Sequence, residues 1–198
     1  MLNIIMKETI LITIIVIIIY LFLFHNKKNV VLIEGRDKNK YLVYNDKQKV
    51  ISAVLLGDVI QNMFKLRDYL YNNIDKYPEY TNYIKQLYTN LNKDRSLIYE
   101  NDPNSKLTSF SINKGEEIGF CLKSKKTGDI HDINLIMYVA IHEMAHIACP
   151  EIGHGDLFKK IFKLLTEVAI EINIYKLGNY ETQPIEYCGM ILSSNILI

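Results

Sequence analysis

Two kinds of hydrophobic periodicity alternate along the chain. Between residues 50 and 73 the apolar positions Val54, Leu55, Val59, Met63, Leu66 and Leu70 recur at helical spacing. Tyr83, Ile84, Leu87, Tyr88 and Leu91 do the same after Pro78. Both segments predict amphipathic helices that bury one stripe. Short β-branched or aromatic runs at residues 30–34 and 41–44, separated by a charged turn, predict a hairpin. Similar runs at 96–99, 107–112 and 116–122 predict a small antiparallel sheet, with Asn113-Lys114-Gly115 as the turn between the last two. Residues 134–149 are apolar almost all round and carry no lysine, so a helix there must be buried on nearly every side. A final helix opens at Gly155 and Asp156, repeats Phe158, Ile161, Phe162, Leu165, Val168, Ala169 and Ile172, and closes near Gly178.

A different pattern stands at the amino end. From Thr9 to Phe24 the chain is apolar or weakly polar throughout, and as a helix this run spans roughly 24 Å at about 1.5 Å per residue. That length is slightly short of a hydrocarbon core of about 30 Å, a gap that snorkelling lysines such as Lys7, Lys27 and Lys28 can close. No small-residue cleavage site follows the run, so it predicts a single transmembrane helix rather than a removed leader. Basic residues are concentrated after it, at Lys27, Lys28, Arg36, Lys38 and Lys40, which predicts a single-pass membrane protein with its domain on the cytosolic side. His25, at the membrane edge of this run, receives no ligand role.

The expected organisation is therefore a membrane anchor over residues 1–28 followed by a domain over residues 29–198. Its fold class is α+β: a mostly helical domain with a small antiparallel sheet, preceded by one transmembrane helix. A chain of 198 residues has room for one such domain. Its 49% hydrophobic and 23% charged residues exclude general disorder. With 23 Lys+Arg against 22 Asp+Glu, no global field selects a polyanion, so a nucleic-acid partner is not expected. Cys121, Cys149 and Cys188 stand far apart without a C-x-x-C pair, which predicts reduced thiols. Lys123, Lys125 and Lys126 predict a solvated loop.

The candidate chemistry lies in His142, Glu143 and His146. Histidines four apart stand one turn above each other on a helix face, so both rings can reach one ion, with the glutamate beside them. This is the H-E-x-x-H arrangement of zinc peptidases. Two imidazoles and a carboxylate in an apolar helix are otherwise costly to bury. For a third ligand, His154 lies between Gly153 and Gly155 just after the helix-ending Pro150. Glu167, on the next helix with Glu171 one turn further, is the alternative. Glu151 stands too close to the helix end. Tyr138, Tyr175 and Tyr187 are candidate oxyanion stabilisers, His131 is expected to be exposed or capping, and Cys188 is expected to be a packed small residue, with an approach to the metal as its alternative role.

The stretch from His142-Glu143-Met144-Ala145-His146 to His154-Gly155-Asp156-Leu157-Phe158 resembles the H-E-x-x-H…H-G-x-x-F pattern of the SprT-like and WLM families of small zinc metallopeptidases. The order of helices, small sheet and motif helix is similar to theirs. With its amino-terminal run and its Tyr187-Cys188-Gly189-Met190 segment, the chain also resembles uncharacterised membrane-anchored members encoded by large DNA viruses. It is not the metzincin pattern, which wants Gly at Cys149 and His at Ile152.

The resemblance implies a zincin-like domain holding one Zn2+ per chain through His142, His146 and His154. It implies a membrane-tethered metallopeptidase acting on protein or peptide substrates, in which a zinc-bound water activated by Glu143 hydrolyses the peptide bond. An edge strand within residues 116–122 is expected to hold the substrate by strand addition. Its setting would be the bilayer, in a host or virion membrane, reached through Thr9 to Phe24. The alternative is a non-catalytic virion membrane protein whose zinc, closed by a fourth protein ligand such as Cys188 or Glu167, only holds the fold. Repair of DNA-bound proteins, known among the resembled families, is disfavoured by the balanced charge.

Overall fold

The computed structural model describes residues 13–14 and 29–197. Strands β1 (Val30–Glu34) and β2 (Lys40–Tyr44) form the expected hairpin, with Leu32 opposite Leu42. Helices α1 (Lys49–Asn72) and α2 (Thr81–Asn90) follow where the helical stripes predicted them. Next come β3 (Leu97–Glu100), β4 (Phe110–Ile112) and β5 (Glu117–Phe120), then α3 (Ile133–Ala148) and α4 (Asp156–Glu171). A short hairpin, β6 (Ile185–Tyr187) and β7 (Met190–Leu192), was not expected from its pattern. Helix α4 ends at Glu171, before the Gly178 that the periodicity suggested.

The sheet corrects the expected fold class. It is not a small antiparallel sheet under a helical majority but a five-stranded mixed sheet in the order β1-β2-β3-β5-β4, and the fold is mixed α/β. β3 runs parallel to β2, and β5 runs parallel to β3. The reason is the connection. The chain leaves β2 through α1 and α2 and returns, and a helical crossover delivers the next strand in parallel. α1 and α3 lie against the sheet, while α2 and α4 pack on them. Val43, Leu56, Val59, Met63, Ile118, Phe120, Ile136 and Ile141 are fully buried between these layers.

The transmembrane reading is also corrected. Among the described residues no helix is long and apolar enough to cross a membrane. The run from Thr9 to Phe24 lies outside the described residues except for Thr13 and Ile14. The anchor over residues 1–28, the bilayer as a partner and the single-pass localisation thus have no spanning helix among the described residues to rest on.

Two side-chain expectations fail because distant segments meet. Lys123 is buried rather than solvated, with Nζ 2.6 Å from Asp46 Oδ2 and 2.8 Å from Glu100 Oε1. Glu100 also accepts from the Tyr44 amide at 2.8 Å, so this buried carboxylate is fully engaged. Cys121 and Cys188 are joined in a disulfide across 67 residues, against the expectation of reduced thiols, while Cys149 is free and buried. The β6–β7 turn, where Cys188 sits at φ 50°, brings its sulfur to the end of β5.

The turn between β4 and β5 is left-handed at three successive residues, with φ of 47° at Asn113, 55° at Lys114 and 98° at Gly115. A Cβ at Gly115 would also stand 3.1 Å from the Ile147 side chain of α3. Gly115→Ala is therefore expected to lower stability by roughly 1–3 kcal/mol, read as a drop in the thermal midpoint. An unchanged midpoint would show that the turn relaxes without cost.

Candidate metal centre

Helix α3 presents the first two histidines. The Asp132 side chain caps its start by accepting from the Asn134 amide at 2.8 Å. His142, Glu143 and His146 lie in the C-terminal half of this buried helix and share a cleft with Ser109, Phe110 and Ser111. Beyond Cys149 the chain bends through Gly153, whose φ of 88° suits glycine, and this turn brings His154 back over the helix.

The three rings converge through the same atom. His142 Nε2 and His146 Nε2 are 3.2 Å apart, and His154 Nε2 is 3.1 Å from each. Two ligands about 2.0–2.1 Å from a tetrahedral ion stand about 3.3–3.4 Å apart, so the triangle fits one ion to within a few tenths of an ångström. Three imidazole nitrogens facing one point cannot all be satisfied by hydrogen bonds to each other, because a neutral ring donates from only one nitrogen. Burial, with smaller contributions from the neighbouring rings and, for His146, from the Lys114 charge, pushes His142 down to about 3 and His146 down to about 4. Both are thus neutral near pH 7 with lone pairs free to ligate. Among the described residues His142, His146 and His154 form a group able to hold a metal ion.

Phe158 forms the floor. Its ring centroid lies 5.0, 4.3 and 4.8 Å from those of His142, His146 and His154, so the first turn of α4 supports all three rings from below. The sequence pattern marked Phe158 as a helix core position; its contact with the ligands required the fold. Glu143 stands beside the triangle, 5% exposed, and burial pushes its carboxyl up to about 7. Glu167 is not near the rings: it is exposed, on the outer side of α4, with Oε1 4.0 Å from Lys163 Nζ. Glu171 accepts from the Tyr69 hydroxyl. His154 therefore completes the group.

The triangle opens into a cleft of about 660 Å³ lined by α3, by Ser109, Phe110 and Ser111, by Asn113 and Lys114, and by residues 151–154. The expected edge within residues 116–122 is corrected, since β5 pairs on both sides. The edge beside the cleft is β4, which among the described residues pairs only with β5. In the same wall Ser111 Oγ is buried and has no hydrogen-bond partner among the described residues. Of the tyrosines, Tyr138 accepts from the Ile196 amide and Tyr175 from Asn195 Nδ2, within an aromatic cluster with Tyr180. Tyr187, 2% exposed, is hydrogen-bonded to Ser109 Oγ of the cleft wall. His131 is buried, not exposed, and its Nε2 accepts from the Cys188 amide at 3.2 Å. With its sulfur bonded to Cys121, Cys188 is not a ligand.

The chain is 49% identical over 157 residues to an uncharacterized protein of Acanthamoeba polyphaga mimivirus, covering 79% of each. It belongs to the family of that viral protein. The chain is also similar over shorter stretches to two other viral proteins: 42% identical over 84 residues to an uncharacterized protein of Invertebrate iridescent virus 6, covering 40% of this chain and 44% of that one, and 36% over 67 residues to an uncharacterized protein of Invertebrate iridescent virus 3, covering 34% and 42%. No family model matches the chain, and no solved structure does.

Proposed function

We propose that this member of the viral family is a zinc-dependent metallopeptidase of the SprT-like and WLM type. The observation that carries the reading is the triangle of histidine Nε2 atoms, open on one side to a cleft that has a buried glutamate beside it and a sheet edge along its wall. Three imidazole nitrogens suit zinc, whose catalytic sites keep one position free of protein ligands. When bound, zinc supplies an acidified water and polarises the scissile carbonyl.

The remaining work falls to the protein. The free N–H and C=O groups of β4 hold a peptide in extended form, as an added strand alongside the cleft. The Glu143 carboxylate takes a proton from the attacking water and returns it to the leaving amine nitrogen, so no net proton is gained or lost by the side chain. Phe158 keeps the ligand rings from turning away. A purely structural zinc site is less well supported, because neither Cys188 nor Glu167 is placed to close the fourth position.

The test is elemental analysis of the purified full chain together with mass spectrometry of a peptide mixture incubated with it. About one zinc per chain and new peptide termini are expected. A folded protein that takes up no zinc overturns the reading, and zinc uptake without cleavage overturns the peptidase part. His154→Ala is expected to weaken zinc affinity by more than about a hundredfold, beyond the roughly 10–100-fold that loss of an outer hydrogen-bond partner costs. Glu167→Ala should leave it unchanged in a chelator competition. The opposite pattern would make Glu167 the ligand.

A further inference from the structure

The third histidine sits on a segment without regular secondary structure, so something must hold that segment against α3. Lys114 Nζ donates to three backbone carbonyls: His146 O at 3.2 Å, Cys149 O at 2.5 Å and Glu151 O at 3.0 Å. These are the groups that a helix end leaves without intrahelical partners, together with the first turn of the loop that leads to His154. A cation there also meets the negative end of the helix dipole. One of the carbonyls belongs to His146, itself in the triangle, and another lies three residues before His154. The ammonium therefore bridges the two segments that carry the second and third ligands.

Lys114 is in turn held from behind. Arg95 Nη1 donates to Lys114 O at 2.9 Å and to Asn90 O at 2.9 Å, and Arg95 Nη2 donates to Asn113 O at 2.6 Å. The left-handed turn that carries Lys114 is thus tied to the end of α2 by one guanidinium. The same turn follows β4 directly, so the lysine also links the end of the edge strand to the carbonyls beside the histidines.

We propose that Lys114 is a positioning residue of the metal centre, whose ammonium clamps the α3 terminus to the 149–151 segment so that His154 closes the ligand triangle. This rests on the metal-site reading above. It assigns a role in ligation to a residue that touches neither the ion's position nor a reacting atom, and it accounts for a lysine side chain directed inward at carbonyls rather than outward into solvent.

The experiment measures zinc affinity by chelator competition and the visible spectrum of the Co2+-loaded full chain. The variants are Lys114→Met and Lys114→Arg, with Lys114→Met also made in the His154→Ala background. Lys114→Met should weaken zinc binding about 10–100-fold and alter the cobalt bands, and Lys114→Arg should recover most of the loss. In the His154→Ala background Lys114→Met should cost almost nothing more, since the residue acts through His154. Unchanged affinity in Lys114→Met, or an equal loss in both backgrounds, overturns the proposal while wild-type zinc binding keeps the metal site standing. A wild-type chain that takes up no zinc overturns both. If Lys114→Met does not fold, Arg95→Lys tests the same clamp through its anchor: a loss confined to the background that retains His154 supports the proposal, and an equal loss in both overturns it.

Discussion

Glu143→Gln is expected to keep one zinc per chain while slowing peptide hydrolysis by about 10²–10⁴-fold, the usual contribution of a positioned general base. The substitution keeps shape and hydrogen-bonding reach but removes the ability to take a proton. Glu143 is set one residue from His142 and is not part of the histidine group, so the metal should remain. The site's surroundings should remain as well, because a neutral amide in a position only 5% exposed avoids burying a charge. Elemental analysis and turnover of one cleaved peptide, measured on the same preparation, decide it. Retained turnover would remove Glu143 from the mechanism, and lost zinc would make it a ligand instead of a base.

Cys188→Ser is expected to cost up to about 4 kcal/mol of stability, because on the chain-entropy account a crosslink closing a loop of this length removes that much freedom from the unfolded chain. The loop closed by Cys121 and Cys188, 67 positions apart, includes α3, α4 and the three histidines. The bond joins the end of β5 to the β6–β7 turn, next to the Tyr187 hydroxyl that reaches Ser109 in the cleft wall. Urea unfolding should show a lower midpoint for Cys188→Ser, and the wild-type chain should shift the same way when reduced. Zinc content should stay at one per chain, since neither sulfur belongs to the histidine group. Identical midpoints for oxidised and reduced protein would show that the bond adds nothing to the fold.

Local periodicity was enough to place α1, α2, α3 and the β1–β2 hairpin within a residue or two, because each buries a stripe or face formed by near neighbours in the chain. The H-E-x-x-H pair was legible for the same reason: residues four apart on a helix share a face in any fold that keeps the helix. The left-handed turn before β5 was announced by Asn113 and Gly115. None of these depends on what lies across the molecule.

The choice between His154 and Glu167 did depend on it. Both were within reach along the chain, and only the packing of α4 on α3 turned Glu167 outward toward Lys163 and brought His154 onto the helix. Strand order was hidden in the same way: β5 inserts between β3 and β4, a long-range pairing that makes β4 the edge beside the cleft. The Cys121–Cys188 bond, the burial of Lys123 against Glu100 and the Lys114 clamp each join segments tens of residues apart. What the sequence determined by itself was most of the elements and the two histidines that share a helix, since those follow from backbone geometry over a few residues. What the tertiary structure decided was the place of the third histidine, the sheet edge and the contacts of Lys114, since each is a meeting of distant segments that only the packed core brings within bonding distance.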